Sequence, residues 1–210
     1  MFDSSQLLLF MTATLLLNIT PGPDMLYVAT RSISQGKIAG TVSALGIGGG
    51  CVVHCLAAAF GLSALFMYSA TAFDVIKYIG AGYLIYLGIR ALTAKQSAPS
   101  SGVRYAKAPL SQIFWQGVLT NILNPKVALF FLAFLPQFTH SDSTSPALEI
   151  LILGTIFNIS GTIVNIIVAL VFGLAGQRLV QKPSFWQFQR WITSAVFIGL
   201  GAKLLFTDRR

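Results

Sequence analysis

"NITPGPDM", residues 18–25, interrupts an apolar opening where a helix would otherwise run on. Proline has no N–H donor and its ring clashes with the preceding turn, so Pro21 and Pro23 on either side of Gly22 leave several backbone groups unpaired. The surroundings make this expensive. Hydrophobic residues are 55% of the 210 and charged residues only 10%, with a mean hydropathy of +0.74, against about 25% charged in a soluble domain. The chain therefore belongs in a lipid bilayer, where unpaired backbone survives only against protein or water. Residues 18–24 are predicted to line an interior cavity or face another helix. A new helix starts near Pro23 or Asp24 and points its N-terminal N–H groups, which attract anions, into that space.

Working outward, a hydrocarbon core of ~30 Å takes about 20 helical residues. Six apolar runs are long enough: 6–34, 38–67, 72–93, 111–136, 146–174 and 187–206. A β-barrel is excluded because barrel strands alternate apolar and polar residues, whereas these runs are apolar on all sides. The first run lacks a basic n-region and an A-x-A-like cleavage site, so it is predicted to remain as a span. The longest polar stretch, "AKQSAPSSGVRYAKAP" at 94–109, is rich in Ser, Pro and Ala and is predicted to be a linker.

Basic loops are retained on the cytoplasmic side. Arg31 and Lys37 fall between runs one and two, Arg90, Lys95, Arg104 and Lys107 between three and four, and Arg178, Lys182 and Arg190 between five and six. The N-terminus carries only Asp3, the second loop has Lys77 beside Asp74, and the fourth has His140, Asp142 and Glu149 without a base. The N-terminus is thus predicted outside. Six crossings put the C-terminus outside as well, against the pull of Lys203, Arg209 and Arg210. The net charge of +8 follows from this retention and does not point to nucleic acid.

Transporters are often built from inverted repeats whose broken helices meet at mid-membrane. An offset of 104 sets Pro21 on Pro125, Thr20 on Asn124, Gly50 on Gly154, His54 on Asn158 and Ala57 on Gly161. An offset of 113 sets Gly88 on Gly201 and Arg90 on Lys203. A repeat of three spans must invert. The predicted fold is therefore an all-α integral membrane protein of six transmembrane helices in two inverted three-helix repeats, 1–93 and 111–210, joined by a cytoplasmic linker at 94–110, with helices one and four broken. On this scheme the basic end of the sixth span mirrors that of the third.

Ionisable residues within spans usually face the bundle interior or a partner. Asp24 lies three residues after Pro21, and Lys126 one after Pro125. Their opposite signs suit an amino acid, with its ammonium at Asp24 and its carboxylate at Lys126 or a half-helix N-terminus. An Asp24–Lys126 ion pair holding the halves together is the alternative, and the two are compatible if substrate displaces the pair.

In the second span Ala39, Ser43, Gly46, Gly50, His54, Ala57 and Gly61 recur at spacings of three and four, a face suited to close helix packing. His54 within it is either a satisfied structural histidine or a proton carrier, since imidazole titrates near pH ~6.5. In the fifth span Thr155, Asn158, Thr162 and Asn165 make a polar stripe that either lines a pathway or bonds neighbouring helices. Cys51 and Cys55 are four apart on one helix, a spacing that does not favour a bridge, and fit as small apolar fillers.

"NITPGPDMLYVATRSISQGKIAG", the Gly-rich second span with His54, and "NILNPKVALFFLAFLPQF" at 121–138 resemble the LysE/RhtB family of bacterial amino-acid exporters over essentially the whole chain. The resemblance implies efflux of amino acids or close relatives such as homoserine, its lactone or threonine across the inner membrane, driven by the proton-motive force. Its motif positions are Thr20, Pro21, Gly22, Pro23 and Asp24 in the first signature and Asn124, Pro125 and Lys126 in the second. Asp24 stands where the motif often carries Asn, so a coupling carboxylate there is particular to some members.

Rival classes lack their residues. A metal-efflux protein of related architecture needs several His, Asp, Glu or Cys at ligand spacing, and His54 and His140 lie far apart. A membrane thiol-disulfide carrier needs a cysteine in each half, and both are in the second span. "GIGGG" lacks the strand before it and the Lys-Ser/Thr after it that a phosphate loop requires. No His or carboxylate is placed to activate a nucleophile as an enzyme would need. The prediction is a secondary transporter of the bacterial inner membrane, without cofactor or metal, exporting a small amino-acid-like zwitterion in exchange for protons. Thr20, Pro21, Gly22, Pro23, Asp24, Asn124, Pro125, Lys126 and Asn158 form its substrate site, and Asp24 and His54 are the proton-coupling candidates. Six helices make a thin wall around a cavity, so a homo-oligomer is expected.

Overall fold

The computed structural model describes residues 4–68, 70–93, 107–139, 145–180 and 183–206. Most of the linker, His140, Asp142, Lys182, Arg209 and Arg210, on which the charge argument drew, lie outside the described residues, as do the side chains of Asp74 and Arg178.

Every described element is helical. In chain order they are α1 (Ser4–Ile19), α2 (Pro23–Gln35), α3 (Lys37–Tyr68), α4 (Ala70–Thr93), α5 (Leu110–Ile122), α6 (Pro125–Leu129), α7 (Pro146–Val180) and α8 (Pro183–Leu205). After α6 the chain widens into a π turn at Phe130–Phe134 and tightens into a 3-10 turn at Leu135–Phe138. Pro136 explains the widening, since its ring cannot donate to the carbonyl four residues back and pushes against it.

Both breaks fall where proline dictates. α2 starts at Pro23 with Gly22 as its N-cap, and α6 starts at Pro125 with Asn124 as its N-cap. Asn124 Oδ1 accepts from the Lys126 N–H at 3.0 Å, the usual way a cap satisfies an orphan donor. The bend is 47° between α1 and α2 and 45° between α5 and the segment Pro125–Phe138.

Two unbroken stretches, Lys37–Gly61 and Pro146–Gly176, are long and apolar enough to cross a membrane, and each bent pair qualifies if taken as one span. That gives two to four crossings among the described residues where the sequence predicts six. α4 and α8, at 24 and 23 residues, reach about 36 and 35 Å, long enough to cross a hydrocarbon core of ~30 Å. Leu8, Phe60, Ile79, Trp115, Leu123 and Leu174 are among many large apolar side chains left exposed, a surface that water would not tolerate at this extent and lipid would. The chain is an integral membrane protein.

α3 lies against α5 and α7, α4 against α8, and α2 against α3 and α7. Gly46 and Gly50 allow the α3–α5 approach. A Cβ on Gly46 would collide with the Phe114 carbonyl, and one on Gly50 would come within 2.5 Å of the Val118 oxygen. Phe10, Phe130, Phe134 and Phe138 are buried in one apolar cluster with Phe131 and Phe157, the Phe130 and Phe157 rings stacking at 4.3 Å. This cluster sits beside the breaks and leaves one polar cavity between them.

Candidate functional site

The C-terminal end of a helix leaves carbonyls without intrahelical donors, and where α1 and α5 stop at mid-membrane these need partners from elsewhere. At the end of α1, Leu16 O accepts from the Thr20 hydroxyl at 2.6 Å. Lys126 Nζ, carried by the other break, donates to Leu17 O at 3.1 Å and Thr20 O at 2.8 Å. At the end of α5, Asn121 O accepts from the Asn124 N–H at 2.9 Å and lies 3.0 Å from His54 Nε2. A carbonyl only accepts, so that nitrogen carries the proton. The His54 ring also stacks on Phe131.

The breaks also meet in the opposite direction. Asn121 Nδ2 donates to Asp24 Oδ2 at 2.8 Å, so the carboxylate of the first break is held by the second. Asp24 and Lys126 are each 7% exposed. The direct ion pair is not what joins the halves: Lys126 is spent on backbone carbonyls and Asp24 on an amide. Gly22 fits this arrangement, because a Cβ there would stand 3.3 Å from Lys126 Nζ. Its φ of −161° is ordinary extended backbone, so the need is for room and not for conformation.

The cavity between the breaks is lined by Asp24 and Lys126 together with Asn18, Asn121, Asn158, Thr162 and Asn165, and by Met25, Ile47, Cys51, Val127, Phe157 and Gly161. Of the residues predicted from the sequence, Asp24, Lys126 and Asn158 border it. Thr20, Gly22 and Asn124 act behind it as carbonyl donor, clearance and cap, Pro21, Pro23 and Pro125 set the breaks, and His54 supports the Asn121 carbonyl. Asn158 Nδ2 also donates to Gly48 O at 3.1 Å, tying α7 to α3, whereas Thr155 of the same stripe is exposed.

Asn18 borders the cavity, as expected for the stretch 18–24, whereas Asn121 is a residue the sequence did not single out. Asn18 Nδ2 donates to Ser160 Oγ at 3.0 Å and Phe157 O at 3.3 Å. A signal existed: an Asn-Ile pair precedes each break, Asn18-Ile19 and Asn121-Ile122. The cavity has a volume of about 30 Å³, room for about two waters and too little for an amino acid.

A polar seam runs from the cavity toward the linker. Tyr27 Oη donates to Ile113 O at 2.7 Å, Arg31 Nη2 to Gln116 Oε1 at 2.6 Å, and Gln35 Nε2 to Ala108 O at 3.1 Å. These residues, one turn apart along α2, zip it antiparallel to α5. Among the described residues no three His, Cys, Asp or Glu side chains come together, and Cys51 and Cys55 are buried free thiols.

Residues 15–208 match the family of LysE type translocators. The chain belongs to that family. This translocator is 29% identical over 209 residues to an uncharacterized membrane protein, YrhP, of Bacillus subtilis, covering 94% of this chain and 97% of that one. It is 24% identical over 195 residues to the leucine efflux proteins of Salmonella typhimurium and Salmonella typhi, covering 93% of this chain and 92% of each of theirs. No solved structure matches the translocator.

Proposed function

We propose that this translocator exports a small amino acid or derivative across the bacterial inner membrane in exchange for protons, by alternating access of two inverted three-helix repeats, 1–93 and 111–210, with the N-terminus outside. The observation that carries the reading is the cavity itself: one carboxylate and one ammonium, each supplied by a different broken helix, border the same small polar space. A zwitterion presents the complementary pair of charges. Its ammonium meets Asp24. Its carboxylate meets the third N–H of Lys126, whose other two donors hold Leu17 O and Thr20 O. The apolar wall of Met25, Ile47, Val127 and Phe157 suits an aliphatic side chain, as the leucine efflux relatives also suggest.

The small volume gives the mechanism its order. Substrate enters only after the halves part, so Lys126 or the Asp24–Asn121 contact gives way first. The α2–α5 seam faces the linker and closes the inner side, and its hydrogen bonds can be exchanged for water without exposing apolar surface. The aromatic cluster closes the other. Rocking of one repeat against the other opens them in turn. Of the two proton carriers, Asp24 borders the cavity and takes the proton, while His54 stands behind it as a support.

Counterflow in reconstituted vesicles tests the reading. Vesicles loaded with an unlabelled amino acid are expected to accumulate the same labelled amino acid transiently, with acidification of the opposite side stimulating net export. Screening the common amino acids without any exchange would remove it.

A further inference from the structure

Most of the polar wall of the cavity is engaged within the protein. Asn18 Nδ2 donates to Ser160 Oγ and Phe157 O, Asn121 Nδ2 to Asp24, Asn158 Nδ2 to Gly48 O, and Thr162 Oγ1 to Asn158 Oδ1 at 3.4 Å. Asn165 differs. It borders the same cavity and is 9% exposed, yet its side chain makes no hydrogen bond among the described residues. Buried side-chain amides in folded proteins nearly always have partners, and one at a cavity wall takes its partner from what enters.

The helix register shows what Asn165 faces. Asn18 bonds to Ser160, Val28 and Ala169 share one buried cluster, and a Cβ on Gly176 would meet Ile33. Each pair is separated by close to the 142 residues between Asn18 and Ser160, so α7 runs beside α1 and α2 in the same direction. Asp24 precedes Val28 by four residues and Asn165 precedes Ala169 by four, which keeps each on the face of its neighbour. Asn165 is thereby level with Asp24, on the opposite wall of the cavity. Asp24 is anchored by Asn121, with the Asn124 side-chain amide beside it. A carboxylate has about four lone-pair sites, so a further donor can still be taken.

We propose that Asn165 is a substrate-binding residue, the second ligand, with Asp24, of the substrate's ammonium group. The proposal rests on the export reading above and adds a residue to it. The N–H groups of an ammonium diverge, so one nitrogen between the two walls gives one donor to the Asp24 carboxylate and another to the Asn165 amide oxygen. No bond within the described residues fixes which end of that amide turns inward, so its oxygen is free to meet a cation. Asp24 supplies the attraction, and Asn165 sets where the nitrogen sits. Because α2 and α7 belong to different halves of the chain, the shared nitrogen also ties the halves together.

The test is competition in proteoliposome counterflow of the full chain. Leucine is the labelled substrate, or alanine or threonine where leucine does not exchange. The competitors are the same amino acid and its carboxamide, which keeps the ammonium and lacks the carboxylate. Asn165→Leu keeps the approximate shape of the side chain and deletes its polar atoms. It is expected to weaken both competitors by the same factor, about tenfold, the loss expected for one charge-assisted hydrogen bond. Unchanged competition by both overturns the proposal. So does a loss confined to the amino acid, which would place Asn165 on the carboxylate, and so does tighter binding of both, which would make it side-chain wall. A carboxamide that fails to compete with the wild type contradicts it as well. A Na⁺ requirement that vanishes in Asn165→Leu assigns the amide oxygen to a metal ion and is a further contradiction. Each of these results leaves amino-acid export standing, whereas a wild type that exchanges no amino acid removes the export reading and this inference with it. Asn165→Ser withdraws the amide without adding apolar bulk, carries the same expectation, and decides where Asn165→Leu does not fold. If neither variant folds, Asn165 is a structural residue and the proposal fails.

Discussion

Lys126 Nζ reaches from the second break to the Thr20 carbonyl of the first, at 2.8 Å. The charge thus closes the C-terminal end of α1, where Thr20 has no following helical turn to supply a donor. Asn121 returns the contact by holding Asp24, so each half of the molecule completes the broken backbone or the buried charge of the other.

Removing Lys126 should therefore weaken the fold as well as the site. Lys126→Met keeps the stem and deletes the donors, leaving Thr20 O orphaned and Asp24 without a cation across the cavity. The expected loss is about 1–3 kcal/mol, the penalty of one buried unsatisfied polar group. It is read as a lowered melting temperature in detergent, and an unchanged melt would mean that the Lys126 contacts are dispensable.

Gly22→Ala places a methyl 3.3 Å from Lys126 Nζ, tighter than ordinary contact but relievable by a small shift of a flexible side chain. The variant should fold, with transport reduced and the melt within about 1 kcal/mol of wild type, as for most changes away from the core. Gly22→Val should be worse in both. Equal transport by all three would show that the Lys126 position is not critical.

Gly36, between α2 and α3, has φ 85° and ψ 176°, a region that is essentially glycine's alone. Nothing lies within 4 Å of a Cβ built there, so strain acts without steric clash. Gly36→Ala should lower stability by about 1–3 kcal/mol and leave the KM for exported substrate unchanged, as seen in parallel melts and counterflow.

Cys51 borders the cavity whereas Cys55 does not, although both are buried. In a Cys55→Ala background, alkylation of Cys51 by a small maleimide should slow when saturating substrate is present. The Cys51→Ala protein with Cys55 retained should show no such protection. Identical alkylation rates with and without substrate would place substrate elsewhere.

The breaks were legible because proline acts through its own covalent structure: α2 and α6 begin at Pro23 and Pro125, whatever packs around them. The charges were legible because lipid makes Asp24 and Lys126 exceptional. Their partners were not. Lys126 bonds to the carbonyls of Leu17 and Thr20, and a backbone acceptor has no side-chain signature. Asn121 was an ordinary polar residue until the helix crossings brought it to the cavity that Asn18, within the stretch 18–24, was expected to line. The widening at Phe130–Phe134 lay hidden in an apolar run because its cause, Pro136, sits beyond it. Of the six crossings expected from the sequence, two to four are supported by length and composition among the described residues, and the other two fall on α4 and α8.

The most direct measurement is counterflow of labelled leucine by wild type, Asp24→Asn and Lys126→Met, reconstituted at equal density after gel filtration has shown each to be folded. Asp24→Asn preserves an acceptor for Asn121 and removes only the charge, so a transport defect there reports on charge and not on collapse. Each variant should lose about tenfold or more in exchange rate, the loss expected for one charge-assisted contact. Near-normal exchange by both would contradict a substrate site where the two broken helices meet.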